Sequence, residues 1–363
     1  RIFTSPSRYV QGKGVLTTGI HHIKALGKNV LLISDDTVFE IAGKRLQNDL
    51  KNNEMAVKYV SFNGEASEDE IQRITKIGRD NGTDVVIGLG GGKTIDSAKG
   101  VSDDLNVPVA ILPTIASTDA PTSALSVIYS DEGVFEKYRF YKKNPDLVLV
   151  DTEVVAKGPV RLLISGIADA TATWVEGRSV IQGHGDTMVG GTPTLAAEAI
   201  AEKCSNVLFE NGLKAVTAAK ANLATPALEA IVEANTLLSG IGFESCGLAA
   251  AHAIHNGFIA LTGDVHSLTH GEKVAYGTLT QLILENRPKE ELDRYITFYQ
   301  KLGLPTTLNE LKLGSISYER LLEVGKLATQ EGETIHQMGL PVDAESVTDA
   351  LFAVDAYVNS HFA

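Results

Sequence analysis

Four of the nine histidines fall in one short stretch, at His252, His255, His266 and His270. His252 and His255 stand i,i+3, and His266 and His270 stand i,i+4, so either pair can share one face of a helix. His252 and His270 are 18 residues apart. On one continuous helix that separation spans roughly 27 Å. The two imidazoles reach a common ion only if the chain turns between them, and Asn256-Gly257 and Thr262-Gly263-Asp264 are the available turn signals. Asp169 is the natural third ligand. It stands in the segment Ser165 to Glu176, which is otherwise apolar and helical, and a carboxylate among apolar neighbours needs a partner. That partner is either a metal ion or, more plainly, a helix cap or a hydrogen bond. One Asp and two His with an open position make a Zn²⁺-type Lewis-acid site. Such a site acidifies a substrate hydroxyl and lets a hydride leave the adjacent carbon.

A hydride needs an acceptor, and the second notable pattern can hold one. The apolar strand Asp84 to Leu89 runs into Gly90, Gly91 and Gly92, and a helix starts with Lys93, Thr94 and Asp96. Glycines admit a close ligand, and the N–H groups at the helix start face a diphosphate. Two known motifs fail here: a P-loop needs glycine where the chain has Ile87, and a GxGxxG needs it at Lys93. The plain alternative is a sharp strand-to-helix turn with no ligand. Asp35, at the end of another strand, reads either as an acceptor for ribose hydroxyls or as a helix N-cap. The run Pro113 to Ser123 holds Thr114, Ser117, Asp119 and Ser123. It reads either as a polar ligand lining or as a loop of hydroxyl turns and caps.

These residues require a particular framework. Up to about residue 150, apolar runs at Val30–Ile33, Val57–Phe62, Asp84–Leu89, Pro108–Leu112 and Leu147–Val150 alternate with helical stretches such as Val38–Asn52 and Glu68–Asn81. That alternation predicts an α/β domain with a parallel, Rossmann-like sheet, whose strand ends open on one edge. Tyr129 to Phe140 carries a hairpin signal at Ser130 to Gly133. Lys157-Gly158-Pro159 marks the expected boundary between an α/β dinucleotide-binding domain (1–157) and an all-helical metal- and substrate-binding domain (158–363). In the latter, Ala196–Glu210, Pro226–Leu238, Val274–Asn286 and Tyr318–Gln330 have helical spacing. The active site is expected in the cleft between the domains.

Composition removes other classes. Against 45 Asp and Glu stand 32 Lys and Arg, a net charge of −13 in 363 residues. With a pI near 5.2, a nucleic-acid or anionic-membrane partner is not expected. No apolar run is long enough for a membrane span. Cys204 and Cys246 form no CxxC, which excludes a disulfide framework and suggests a reducing, cytoplasmic setting. A leader upstream of Arg1 is left open.

The motifs as a set resemble a known family. Gly90 to Asp96, Pro113 to Tyr129, Gly242 to Gly257 and His270 to Ala275 look like the glycerol dehydrogenases, a zinc-using branch of the iron-containing alcohol dehydrogenase and dehydroquinate synthase-like superfamily. The likeness runs over nearly the whole chain. It implies reversible oxidation of glycerol to dihydroxyacetone with NAD⁺. It also implies Zn²⁺ on Asp169, His252 and His270, and a polyol hydroxyl on Asp119. The cofactor would meet Asp35, Gly91, Gly92, Lys93, Asp96, Thr114, Ser117, Ser123, Leu125 and Tyr129. A homo-oligomer, often an octamer, is implied as well. Iron-dependent relatives carry a histidine four residues after the ligand Asp, and this chain has Thr173 there. A three-ligand site favours Zn²⁺. Two alternatives stand beside this reading: a dehydrogenase of another diol such as 1,2-propanediol or of a phosphorylated polyol, and a non-catalytic nucleotide-binding module.

Overall fold

Apolar runs bounded by turn residues become strands, and the helices between them return the chain to the same edge of the sheet. The computed structural model describes residues 1–362. Its strands are β1 (Tyr9–Gly12), β2 (Asn29–Ser34), β3 (Ala56–Ser61), β4 (Val85–Gly90), β5 (Val109–Pro113), β6 (Leu125–Tyr129), β7 (Phe135–Phe140) and β8 (Leu147–Asp151). Six form one sheet in the order β1-β8-β5-β4-β2-β3, with every pair parallel. β6 and β7 form the separate antiparallel hairpin that Ser130 to Gly133 predicts. β4 and β5 are buried along their whole length, as strands covered on both faces must be. Leu32, Ile87, Leu112 and Leu149 form the core beneath them. β1 was not legible as a strand. It is a four-residue, half-buried edge strand paired only to β8.

The sheet order has a functional consequence. From β2 the chain moves to β3 on one side and comes back to β4 on the other. The carboxyl ends of β2 and β4 therefore flank a topological switch point, where open α/β sheets bind their ligands. The pairing of Ile33 with Gly88 brings Asp35 and the three glycines to that point. Next to it, the Thr114 N–H donates to the Gly90 carbonyl at 3.1 Å.

Two compact units divide the chain. One contains Ser5 to Val160 together with Ala215 to Gly240; the other contains Arg1 to Thr4, Arg161 to Lys214 and the chain from Ile241 onward. The division after Val160 falls near the expected boundary, but assigning everything beyond it to a second domain needs correcting. The segment 215–240 belongs with the sheet because its polar groups are satisfied there. The Glu229 carboxylate accepts from Gln11 at 2.9 Å and also from Thr152, and Asn235 donates to the Ala116 carbonyl at 3.0 Å. Two expected helices are interrupted by π turns, Phe39–Gly43 and Ala234–Leu238. No single helix among the described residues is long and apolar enough to cross a membrane.

Candidate active site

Three helices of the second unit supply the candidate ligands. Asp169 lies in the helix Val160–Gln182, His252 in Ala250–Gly257, and His270 starts His270–Leu284. The turn between the histidines forms where it was expected. The first helix ends at Gly257, Gly263 takes a positive φ of 96°, and Thr269 begins the next helix with a capping box to Glu272. The three helices meet on small residues, with Ala172, Ala251 and Val274 packed together. Two glycines let the backbones come this close. A Cβ on Gly271 would collide with the Ser165 carbonyl, and one on Gly277 with the Ala251 carbonyl.

The side chains converge as a ligand set. His252 Nε2 is 3.2 Å and His270 Nε2 3.1 Å from the same Asp169 oxygen. One ligand atom from each residue lies within 4.8 Å of the others. The Asp169 side chain is fully buried, His252 is 12% exposed and His270 36%, so the cluster opens on its His270 side. Burial would raise the Asp169 carboxyl, yet the imidazoles, His270 first, hold it well below the usual carboxylate range. Burial would lower His252, but Glu176 and Asp169 carry it well above its ordinary value. A metal ion entering here displaces protons.

The donor set fits such an ion. Each histidine has its Nδ1 engaged elsewhere and its Nε2 turned toward Asp169. His252 Nδ1 is 2.7 Å from Glu176 Oε2, and His270 Nδ1 is 3.1 Å from His255 Nε2. Burial, with His270 next in weight, pushes His255 well below its usual value and keeps it neutral. His266 takes no part, as its Nε2 bonds the Leu261 carbonyl. Glu176 was missed in the sequence. The available signal was a second acid seven residues after Asp169, on the same face of an apolar helix.

The proposed cofactor residues lie in the first unit, and their polar atoms have varied partners. Gly90 has a φ of 150°, a conformation that L side chains rarely adopt. The helix Gly92–Leu105 has no side-chain cap, which leaves its first N–H groups for solvent or an anion. Lys93 is exposed and pairs with Glu65 at 2.7 Å. Asp35 caps the next turn through the Val38 N–H at 2.8 Å, and that bond leaves its second oxygen for another donor. Thr114 is buried, and Ser117 and Tyr129 are half-buried. Leu125 is buried where β6 begins.

Asp96 and Ser123 lie in a buried polar network around Lys99. Buried Lys99 donates to Ser123 Oγ at 3.1 Å and to the Leu125 carbonyl at 3.0 Å, with Asp96 at 4.0 Å. The Val127 N–H donates to the Asp96 carboxylate at 3.2 Å. Lys99 was also missed: a lysine in helical spacing reads as a surface residue. Asp119 is 8% exposed and accepts from Ser239 Oγ at 2.7 Å.

The chain is similar along its length to known proteins. Residues 6–152 match the family described as iron-containing alcohol dehydrogenase. Glycerol dehydrogenase of Citrobacter freundii is 47% identical over 98% of this chain and 97% of its own. Glycolaldehyde reductase of Halobacterium salinarum is 47% identical with the same two coverages. The crystal structure of glycerol dehydrogenase from Schizosaccharomyces pombe matches with a TM-score of 0.96 at 45% identity, over 99% of this chain and 91% of that one.

Proposed function

We infer the activity of this protein from its membership: the chain belongs to the iron-containing alcohol dehydrogenase family, on the branch of the glycerol dehydrogenases. It oxidises glycerol to dihydroxyacetone, reversibly, and reduces NAD⁺ to NADH with release of one proton. The carrying observation is the convergence of His252 Nε2, His270 Nε2 and an Asp169 oxygen within 4.8 Å. Zn²⁺ held by these three would polarise a substrate hydroxyl and ease the loss of its proton.

The remaining work falls to the chain. The glycine turn and the start of the helix Gly92–Leu105 receive the cofactor diphosphate, with Lys93 beside them. The free oxygen of Asp35 accepts from a ribose hydroxyl. Thr114, Ser117 and Tyr129 line the rest of the cofactor path, and Asp119 accepts a hydrogen bond from a polyol hydroxyl. Positioning the carbinol carbon against the nicotinamide supplies much of the rate. A homo-oligomer is the assembly this reading favours, and light scattering measures it.

A substrate panel tests the reaction through the absorbance of reduced nicotinamide. Glycerol should give the highest kcat/KM among glycerol, 1,2-propanediol and a phosphorylated polyol. The similarity to a glycolaldehyde reductase supports a second reading, in which the site reduces a 2-hydroxyaldehyde. Reduction of glycolaldehyde with NADH at a higher kcat/KM than dihydroxyacetone would replace the first reading by the second. Purified protein that turns over none of these after Zn²⁺ loading would refute both.

A further inference from the structure

We propose that Glu176 is a positioning residue that sets the tautomer and ring orientation of His252, and through them the metal affinity of the site. The inference rests on the metal reading of Asp169, His252 and His270. Glu176 is fully buried in the helix that carries Asp169. Its Oε2 is 2.7 Å from His252 Nδ1, and its Oε1 accepts the Ala249 and His252 N–H groups, each at 2.9 Å. With Oε1 taken up by two backbone donors, Oε2 faces Nδ1 as an acceptor, and this contact places an Nδ1 proton between them. When a metal ion displaces the proton from Nε2, the lone pair there is directed at the ligand cluster. A carboxylate behind a ligand imidazole also makes the imidazole a stronger donor. His270 has an imidazole behind it, at 3.1 Å, where His252 has an acid. Glu176 therefore acts on one ligand alone.

Glu176 has a second task, and it can be separated from the first. The helix Ala250–Gly257 has no cap from its own N-cap residue, Ala249. Two side chains from other helices take its four leading N–H groups. Glu176 accepts those of Ala249 and His252, and Gln281 Oε1 accepts those of Ala250 and Ala251, each at 3.0 Å. Gln281 fastens the helix without touching the imidazole. Glu176 both fastens the helix and orders the ring.

Glu176→Gln separates the two tasks. Its amide oxygen can keep both backbone bonds, but its NH₂ then faces Nδ1. The ring must accept there and place its proton on Nε2, against Asp169. Chelator competition for Zn²⁺ should show binding weakened about 10- to 100-fold, with a melting temperature close to wild type. Gln281→Leu should lower the melting temperature and keep Zn²⁺ affinity within a few-fold of wild type. Ring-nitrogen NMR of Zn²⁺-loaded wild type needs no variant and should show His252 protonated at Nδ1 and coordinated through Nε2. Three results would overturn the proposal: wild-type Zn²⁺ affinity in Glu176→Gln, an equal loss of affinity in Gln281→Leu, or coordination through Nδ1. Wild type that binds no Zn²⁺ would overturn the metal reading and this inference together. Wild type that binds, with an unchanged variant, would overturn this inference alone.

Discussion

The hydroxyl of Ser239 donates to the carboxylate of Asp119 at 2.7 Å, both side chains being buried in the same unit. The bond ties the loop after β5 to the segment 215–240, which joins the sheet unit from far along the chain. Ser239→Ala removes one hydrogen bond to a charged group, worth about 1.5 kcal/mol. The KM for glycerol should rise about tenfold with little change in kcat, as initial-rate kinetics would show. An unchanged KM would mean that Asp119 does not orient substrate.

Removing a ligand should abolish chemistry and spare the fold. Asp169→Asn and His252→Ala should each lower kcat with glycerol by about a thousandfold, the equivalent of roughly 4 kcal/mol of lost transition-state stabilisation. Circular dichroism should show the helix content unchanged. Full turnover by either variant in chelator-treated buffer would disprove the metal reaction.

Burial pushes the Asp96 carboxyl from 3.8 up to about 6, with Lys99 opposing the change. A carboxyl whose pKa is higher folded than unfolded holds its proton more tightly in the folded chain. Its contribution is fully present below about pH 4 and is lost as pH rises through about 6. The loss by pH 7 comes to roughly 3 kcal/mol, at about 1.4 kcal/mol for each tenfold change in proton affinity. Denaturant unfolding of wild type and Asp96→Asn at pH 4 and pH 7 reads it directly. The stability difference should move in favour of the variant by about that amount at the higher pH. A difference that does not change with pH would contradict the prediction.

Gly271 sits where two ligand-bearing helices touch. A methyl group there meets the Ser165 carbonyl, four residues before Asp169. Gly271→Ala should push His270 away from Asp169, lower the melting temperature by several degrees and weaken Zn²⁺ binding in parallel. Such overpacking typically costs about 1–3 kcal/mol. Wild-type Zn²⁺ affinity in a folded Gly271→Ala protein would mean that the ligand set tolerates the displacement.

Much of this architecture could be read along the chain. Five apolar runs became strands of the parallel sheet within a residue or two of their expected bounds; β4, β5 and β8 are buried throughout and cannot hide their composition, while the edge strand β3 shows itself by alternation. The turn between His252 and His270 was visible in Asn256, Gly257 and Gly263. The Asp169 ligand reading came from an acid in an apolar helix together with the family resemblance. Lys99 and Glu176 escaped notice for the same reason. Charged residues at helical spacing ordinarily face water, and only the surroundings reveal that these two are buried with partners 24 and 76 residues away.

Patterns of burial and backbone preference act over a few neighbouring residues, so element types, the glycine turn and the candidate ligands could be read one segment at a time. The tautomer of His252, the bond from Lys99 to Ser123, and the assignment of 215–240 to the sheet unit could not. Each depends on which distant polar group lies within about 3 Å in a buried setting, and that distance is a property of packed helices rather than of spacing along the chain.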